Sequence, residues 1–100
     1  MITVIFHPLA EQELTDAINY YEQQKTDIGL EYLEAVEQAV NCLIYYPEIG
    51  AKIRGSIRRL ILPKFPYSLL YRVLEGEEIR ILAVAHHKRK PFFWSLLNRR

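Results

Sequence analysis

The sequence predicts one α+β domain, a helical hairpin followed by an antiparallel sheet, and three observations carry that reading. Apolar residues in the first half recur at three- and four-residue steps, the spacing of a helix face. In the second half they gather into strand-length runs of Val, Ile, Leu, Tyr and Phe between Pro63, Pro66 and Gly76. One hundred residues, half of them apolar, make one core and leave no material for a second.

Taken in order, Thr3-Val4-Ile5-Phe6 reads as a short strand. Pro8 then suits a first helical turn, where its missing N–H is no loss, and Glu11 and Glu13 sit where the helix dipole favours negative charge. A helix is expected over Pro8–Gln24, with Ala10, Leu14, Ala17, Ile18 and Tyr21 buried and Glu13, Asp16 and Asn19 turned to solvent. Thr26 reads as the N-cap of a second helix, in which Leu33, Val36, Val40, Leu43 and Ile44 repeat the spacing until Pro47 stops it. The two helices are expected to form an antiparallel hairpin. Adjacent residues on a helix cannot share one core, so one member each of Tyr20-Tyr21 and Tyr45-Tyr46 is expected outside, as an amphipathic ring at the core's edge or as a partner contact. Residues 47–55, PEIGAKIRG, read as a loop. Three strands follow at Ile57–Leu62, Tyr67–Leu74 and Glu78–His86, the last two joined through Glu75-Gly76-Glu77 as a hairpin. After Pro91 a short C-terminal helical segment is expected over residues 92–97.

Composition excludes several classes. Cys42 is the single cysteine, so no intrachain disulfide can form, and its mid-helix position reads as a small hydrophobe rather than a nucleophile. The apolar start MITVIFHP is too short, and too bare of positive charge, for a secretory signal, and no run reaches membrane-span length. A cytoplasmic protein without membrane association is expected. There is no Ser-His-Asp pattern and no Gly-rich phosphate loop, and three histidines without Cys or carboxylate at ligand spacing argue against a metal. No cofactor is expected.

The charge is divided. Residues 1–50 hold nine acids against Lys25 alone, net −8, and residues 51–100 hold twelve bases against Glu75, Glu77 and Glu78, net +9. Either one basic working face meets a polyanion or an acidic protein, or the acidic helices and the basic sheet pair with each other. The bases interleave with the strands as Arg58, Arg59, Lys64, Arg72 and Arg80 and close the last strand as His86-His87-Lys88-Arg89-Lys90. Arg58 and Arg59, being adjacent on a strand, point to opposite faces, so only one is expected in a site.

The ordered succession FHPLAEQEL, YYE, GLEYLEAVEQAV, PEIG, IRGSIRR, FPYSLLYRV and IRILAVAHHKRKPFFW resembles the RelE/ParE superfamily over nearly the whole chain. That superfamily contains the toxins of type II toxin–antitoxin modules, often called plasmid stabilisation proteins. The resemblance implies a helical hairpin on a twisted antiparallel sheet, a cognate antitoxin as partner, and one of two activities. RelE-like members cut messenger RNA on the ribosome without a metal, whereas ParE-like members poison DNA gyrase; a non-toxic relative is the remaining alternative. Metal-free RNA cleavage by a ribose 2′-OH needs a base, an acid and cations on the developing charge. Arg59, Lys64 or Arg89 could supply the charge and His86 or His87 the protons, with Lys52, Arg54, Arg58, Lys88 and Lys90 binding the substrate. Phe93 could stack on a base. Aligned on the RelE pattern, Ile61 and Ser68 stand where RelE has a lysine and an arginine, and His87 stands where it has an arginine. An antitoxin segment is expected to add as a helix or strand, with acidic residues near Arg54, Arg58, Arg59 or Arg89.

Overall fold

The computed structural model describes residues 2–88 and 99. Its elements are β1 (Thr3–Phe6), α1 (Pro8–Gln24), α2 (Ile28–Tyr45), β2 (Ala51–Arg54), β3 (Ile57–Ile61), β4 (Tyr67–Leu74) and β5 (Glu78–His86). The strands form one five-stranded sheet in the order β1-β5-β4-β3-β2. β1 runs parallel to β5 and every other pairing is antiparallel.

The expected three-stranded antiparallel sheet is therefore extended at both edges. β1 returns alongside β5, pairing Thr3 with Glu78 and Phe6 with Ile81. Part of the expected 47–55 loop is β2, which pairs with β3 through an irregularity between Lys52 and Arg54. β3 ends one residue earlier than expected, at Ile61. The expected C-terminal helical segment lies outside the described residues.

Both helices form where the apolar spacing places them. Pro8 occupies the first turn of α1, and the His7 ring, through Nδ1, accepts from the Leu9 N–H at 3.1 Å and so caps it. Thr26 is not the cap of α2. Asp27 holds that position in a left-handed conformation, φ 70°, with no capping bond from its own side chain. Glu22 of α1 reaches across instead, one oxygen accepting from Asp27 N at 3.2 Å and the other from Gly29 N at 3.0 Å. A carboxylate there also meets the positive end of the α2 dipole. Gly29 is needed at this crossing, because a Cβ would lie 2.8 Å from the Ile18 carbonyl oxygen.

The main core lies between the hairpin and one face of the sheet, with Tyr32, Val36 and Leu43 of α2 packed over Leu69, Tyr71, Ile79, Ile81 and Val84. Each fully buried aliphatic side chain there contributes about 1.5–3 kcal/mol. A smaller buried cluster, Ile57, Leu70, Leu82 and Ala83, occupies the opposite face. The shift of pairing between Leu70 and Tyr71 puts Leu82 and Ala83, though adjacent in sequence, into this same cluster. Tyr20 is exposed and Tyr21 half-buried, as expected; Tyr45 and Tyr46 are both exposed, at 72% and 65%. α2 ends at Tyr45, so Tyr46 leaves the helix and is freed from its face geometry.

Candidate functional site on the open face of the sheet

Strand alternation sorts the sequence-derived candidates. Tyr71, Val73, Ile79 and Ile81 point toward the helices, so Arg72 and Arg80 point away from them. By the same register Arg59 lies opposite Leu70, and Ile61 opposite Ser68, on the face away from the helices, the open face, although Ile57, Leu70, Leu82 and Ala83 on it are buried. Arg58 points to the helix side, opposite Tyr71 and Lys52. Adjacent arginines thus diverge as expected, and Arg59 is the one exposed on the open face.

Arg58 has a structural task. Its Nη1 donates to the carbonyls of Glu48 at 3.0 Å and Gly50 at 2.8 Å. Tyr71, fully buried, donates its hydroxyl to the Pro47 carbonyl at 2.8 Å and accepts from the Gly50 N–H at 2.9 Å. Burial raises the Tyr71 pKa, so the group stays a neutral hydroxyl and performs both roles at once. Together these two side chains fix the 47–50 segment, which presents exposed Ile49 beside Tyr46 and Val73 around an apolar hollow.

The two neighbouring histidines part company. His86 lies opposite Tyr67 and meets its ring edge-on at 4.9 Å, at the border of an aromatic cluster in the main core. Its Nδ1 accepts from the Lys88 N–H at 3.0 Å. His87 donates its backbone N–H to the Pro66 carbonyl at 2.8 Å, and its Nε2 lies 2.9 Å from the hydroxyl of Ser68, which is buried. His87 therefore belongs to the same face as Arg59, whose cross-strand neighbour Leu70 lies two residues, about 7 Å, along β4 from Ser68. Lys64 is exposed in the 62–66 connection, and Lys52 and Arg54 are exposed on β2. Lys88 is exposed just after β5; Arg89, Lys90 and Phe93 lie outside the described residues.

The candidates thus do not gather into one group. Arg59 and His87 share the open face, His86 joins the core border, and Arg58 serves a loop. Sequence reasoning missed Ser68 as the partner of His87, although a lone serine inside the apolar run YSLLY is a signal for a buried hydroxyl with a task. It also missed Glu13, expected in solvent. One oxygen of its carboxylate accepts from Val84 N at 3.1 Å, and the side chain pairs with Arg99, whose Nη1 also donates to the Leu82 carbonyl at 2.8 Å. Among the described residues no group of three His, Cys, Asp or Glu could hold a metal, and no helix is long and apolar enough to cross a membrane.

A helical hairpin covering one face of a five-stranded sheet, with a sparsely cationic face opposite, places the chain in the fold class of RelE- and ParE-type toxins. The chromosomal ParDE system of P. aeruginosa contains a chain that superposes at a TM-score of 0.62 with 22% identity, covering 86% of this chain and 96% of that one. The isolated E. coli RelE toxin superposes at 0.58 with 18% identity, covering 97% and 96%. The family profile of the ParE toxin of type II toxin–antitoxin systems, parDE, matches residues 4–91, and the chain belongs to that family. It is the toxin of a toxin–antitoxin module, and its partner is a cognate antitoxin. No curated protein sequence matches it.

Proposed function

We propose that this toxin arrests growth by binding DNA gyrase, as ParE-like members do, and that it is not a messenger-RNA nuclease. The observation that carries the reading is the chemistry of the open face. Where RelE has two cations this chain has Ile61, 54% exposed, and Ser68, buried and engaged by His87. Each missing charge-stabilising group lowers a phosphoryl-transfer rate by roughly a hundredfold or more. The match to the ParE profile over residues 4–91 supports the same side.

One observation favours a ribosome-dependent nuclease as second reading: His87, held by Ser68, shares its face with Arg59, so an imidazole and a guanidinium lie on one side of the sheet. Incubation with gyrase and plasmid, and separately with programmed ribosomes, distinguishes the two. Inhibited supercoiling or trapped DNA breaks with intact message is expected. Cleavage inside A-site codons that disappears in Arg59→Ala and His87→Ala would overturn the gyrase reading. A folded protein inactive in both assays, with no growth arrest, would overturn both.

A further inference from the structure

Arg72 and Arg80 stand directly opposite one another on β4 and β5, on the open face. Like charges paired across strands destabilise a sheet unless an anion lies with them. Arg80 has one. Glu78, two residues earlier on the same strand and face, accepts from its Nε and Nη2. Arg72 has none: its Nε is buried without a hydrogen-bond partner, and no ion pair between described residues reaches it. A half-buried arginine whose Nε is desolvated and unpaired, at the strand position opposite Arg80, is a costly arrangement in the isolated domain.

The surroundings define what would relieve it. Ile5 lies beside Arg80 on β1 and is 40% exposed; Leu74, opposite Glu78, is 36% exposed. The pair is thus flanked by apolar side chains on two strands. Two guanidinium charges less that of Glu78 leave one positive charge to match, which a single carboxylate does, and the two Nη of Arg72, which unlike its Nε are not enclosed, can take a carboxylate bidentately. A phosphate chain fits poorly, because Glu75 and Glu77 stand exposed in the adjoining turn and Ile5 and Leu74 offer a polyanion nothing.

We infer that Arg72 and Arg80 form a receptor for one carboxylate of the cognate antitoxin, presented on a segment whose neighbouring apolar side chains cover Ile5 and Leu74. The inference rests on the family assignment, which supplies the partner, and is independent of the choice between gyrase and messenger RNA. It moves the acidic contact from the Arg54–Arg58–Arg59 region to the β1–β5–β4 side of the sheet.

The test is the affinity of the full chain for the antitoxin encoded beside it, by calorimetry, for wild type, Arg72→Gln, Arg72→Lys and Arg80→Gln. Arg72→Gln is expected to weaken binding roughly thirtyfold or more, as loss of one member of a buried charge pair does, and Arg72→Lys to recover part of it. The thermal midpoint of the free toxin should not fall in Arg72→Gln, because no native partner is lost; a fall in midpoint and affinity together would mark a structural residue and overturn the inference. Hydrogen exchange on the wild-type complex supplies a reading that needs no variant: residues 72–80 should gain protection, and a footprint that omits them counts against the receptor. Wild-type binding matched within twofold by Arg72→Gln removes the receptor but leaves the module intact, whereas a wild type that does not bind the antitoxin removes both. Arg72-dependent binding of a short single-stranded oligonucleotide, with antitoxin affinity unchanged, would reassign the pair to nucleic acid.

Discussion

Tyr32 and Tyr71 are both fully buried in the main core, yet their hydroxyl groups meet opposite fates. Tyr71 stands against the 47–50 segment, where its oxygen both donates and accepts. Tyr32 is held by rings: Phe65 at 5.1 Å, Tyr67 at 5.2 Å and Tyr21 at 5.3 Å, and its hydroxyl has no partner. Burial raises the pKa of both, so neither escapes by ionising. In the Tyr71 region the polar end of the side chain shapes the backbone. Around Tyr32 the ring does the work, each edge or tilted contact contributing about 0.5–1.5 kcal/mol, against an unsatisfied oxygen that costs about 1–3 kcal/mol. A tyrosine in an apolar core is therefore evidence of a hydrogen bond in one place and of ring packing in the other.

The sharpest way to break the comparison is to remove both hydroxyls separately. Tyr71→Phe orphans the Gly50 N–H and the Pro47 carbonyl and is expected to cost about 2–4 kcal/mol, read as a lower midpoint in urea unfolding. Gly50→Ala attacks the same contact from the other side. Its Cβ would lie 2.6 Å from the Tyr71 hydroxyl and 2.8 Å from the Arg59 carbonyl oxygen, so a loss of about 1–3 kcal/mol is expected. Tyr32→Phe keeps the ring contacts and deletes the orphan, and should raise stability by about 1 kcal/mol, or about 4–8 °C in thermal midpoint. If the two Tyr→Phe variants shift stability in the same direction, the contrast is wrong.

A smaller effect concerns His7, whose pKa is lowered from 6.5 by burial first, then by the Arg99 and Arg80 charges, with Glu13 acting the other way. The folded chain binds this proton more weakly than the unfolded one, so the contribution is complete above about pH 6.5 and is lost as pH falls through the folded value. Protonation at Nδ1 also removes the acceptor for Leu9 N–H. Denaturation midpoints measured from pH 7.5 to 5 should decline, and His7→Gln should flatten that decline; an identical slope in the variant would exclude His7 as its source.

Much of the fold was legible because it is local. The bounds of α1, β4 and β5 follow from apolar spacing and from Pro8 and Gly76, and strand alternation alone separates Arg58 from Arg59. What escaped is non-local or unusual locally. Four residues of β2 between Gly50 and Gly55 have no periodicity to read, and only pairing with β3 makes them a strand. Asp27 overrides Thr26 because Glu22, five residues back, reaches the α2 terminus. Glu13 sits on the polar stripe of α1, but that stripe passes over the Val84 amide, which no spacing rule reveals. For the candidate site, sequence supplied the residue types, and strand alternation turns the neighbours His86 and His87 different ways. It could not tell which of the two faced the aromatic core, since that depends on Tyr67 lying opposite His86 and on the Ser68 hydroxyl meeting the His87 ring.

The parallel seating of β1 against β5 governs when the domain can exist during synthesis. Thr3–Phe6 is synthesised before residues 78–81, with which it pairs. The helical hairpin is built from neighbouring segments and can form early, but the edge of the sheet closes by joining two segments distant in sequence, a slow kind of contact to form. A nascent chain therefore cannot close this edge of its sheet until residues 78–81 have left the ribosome.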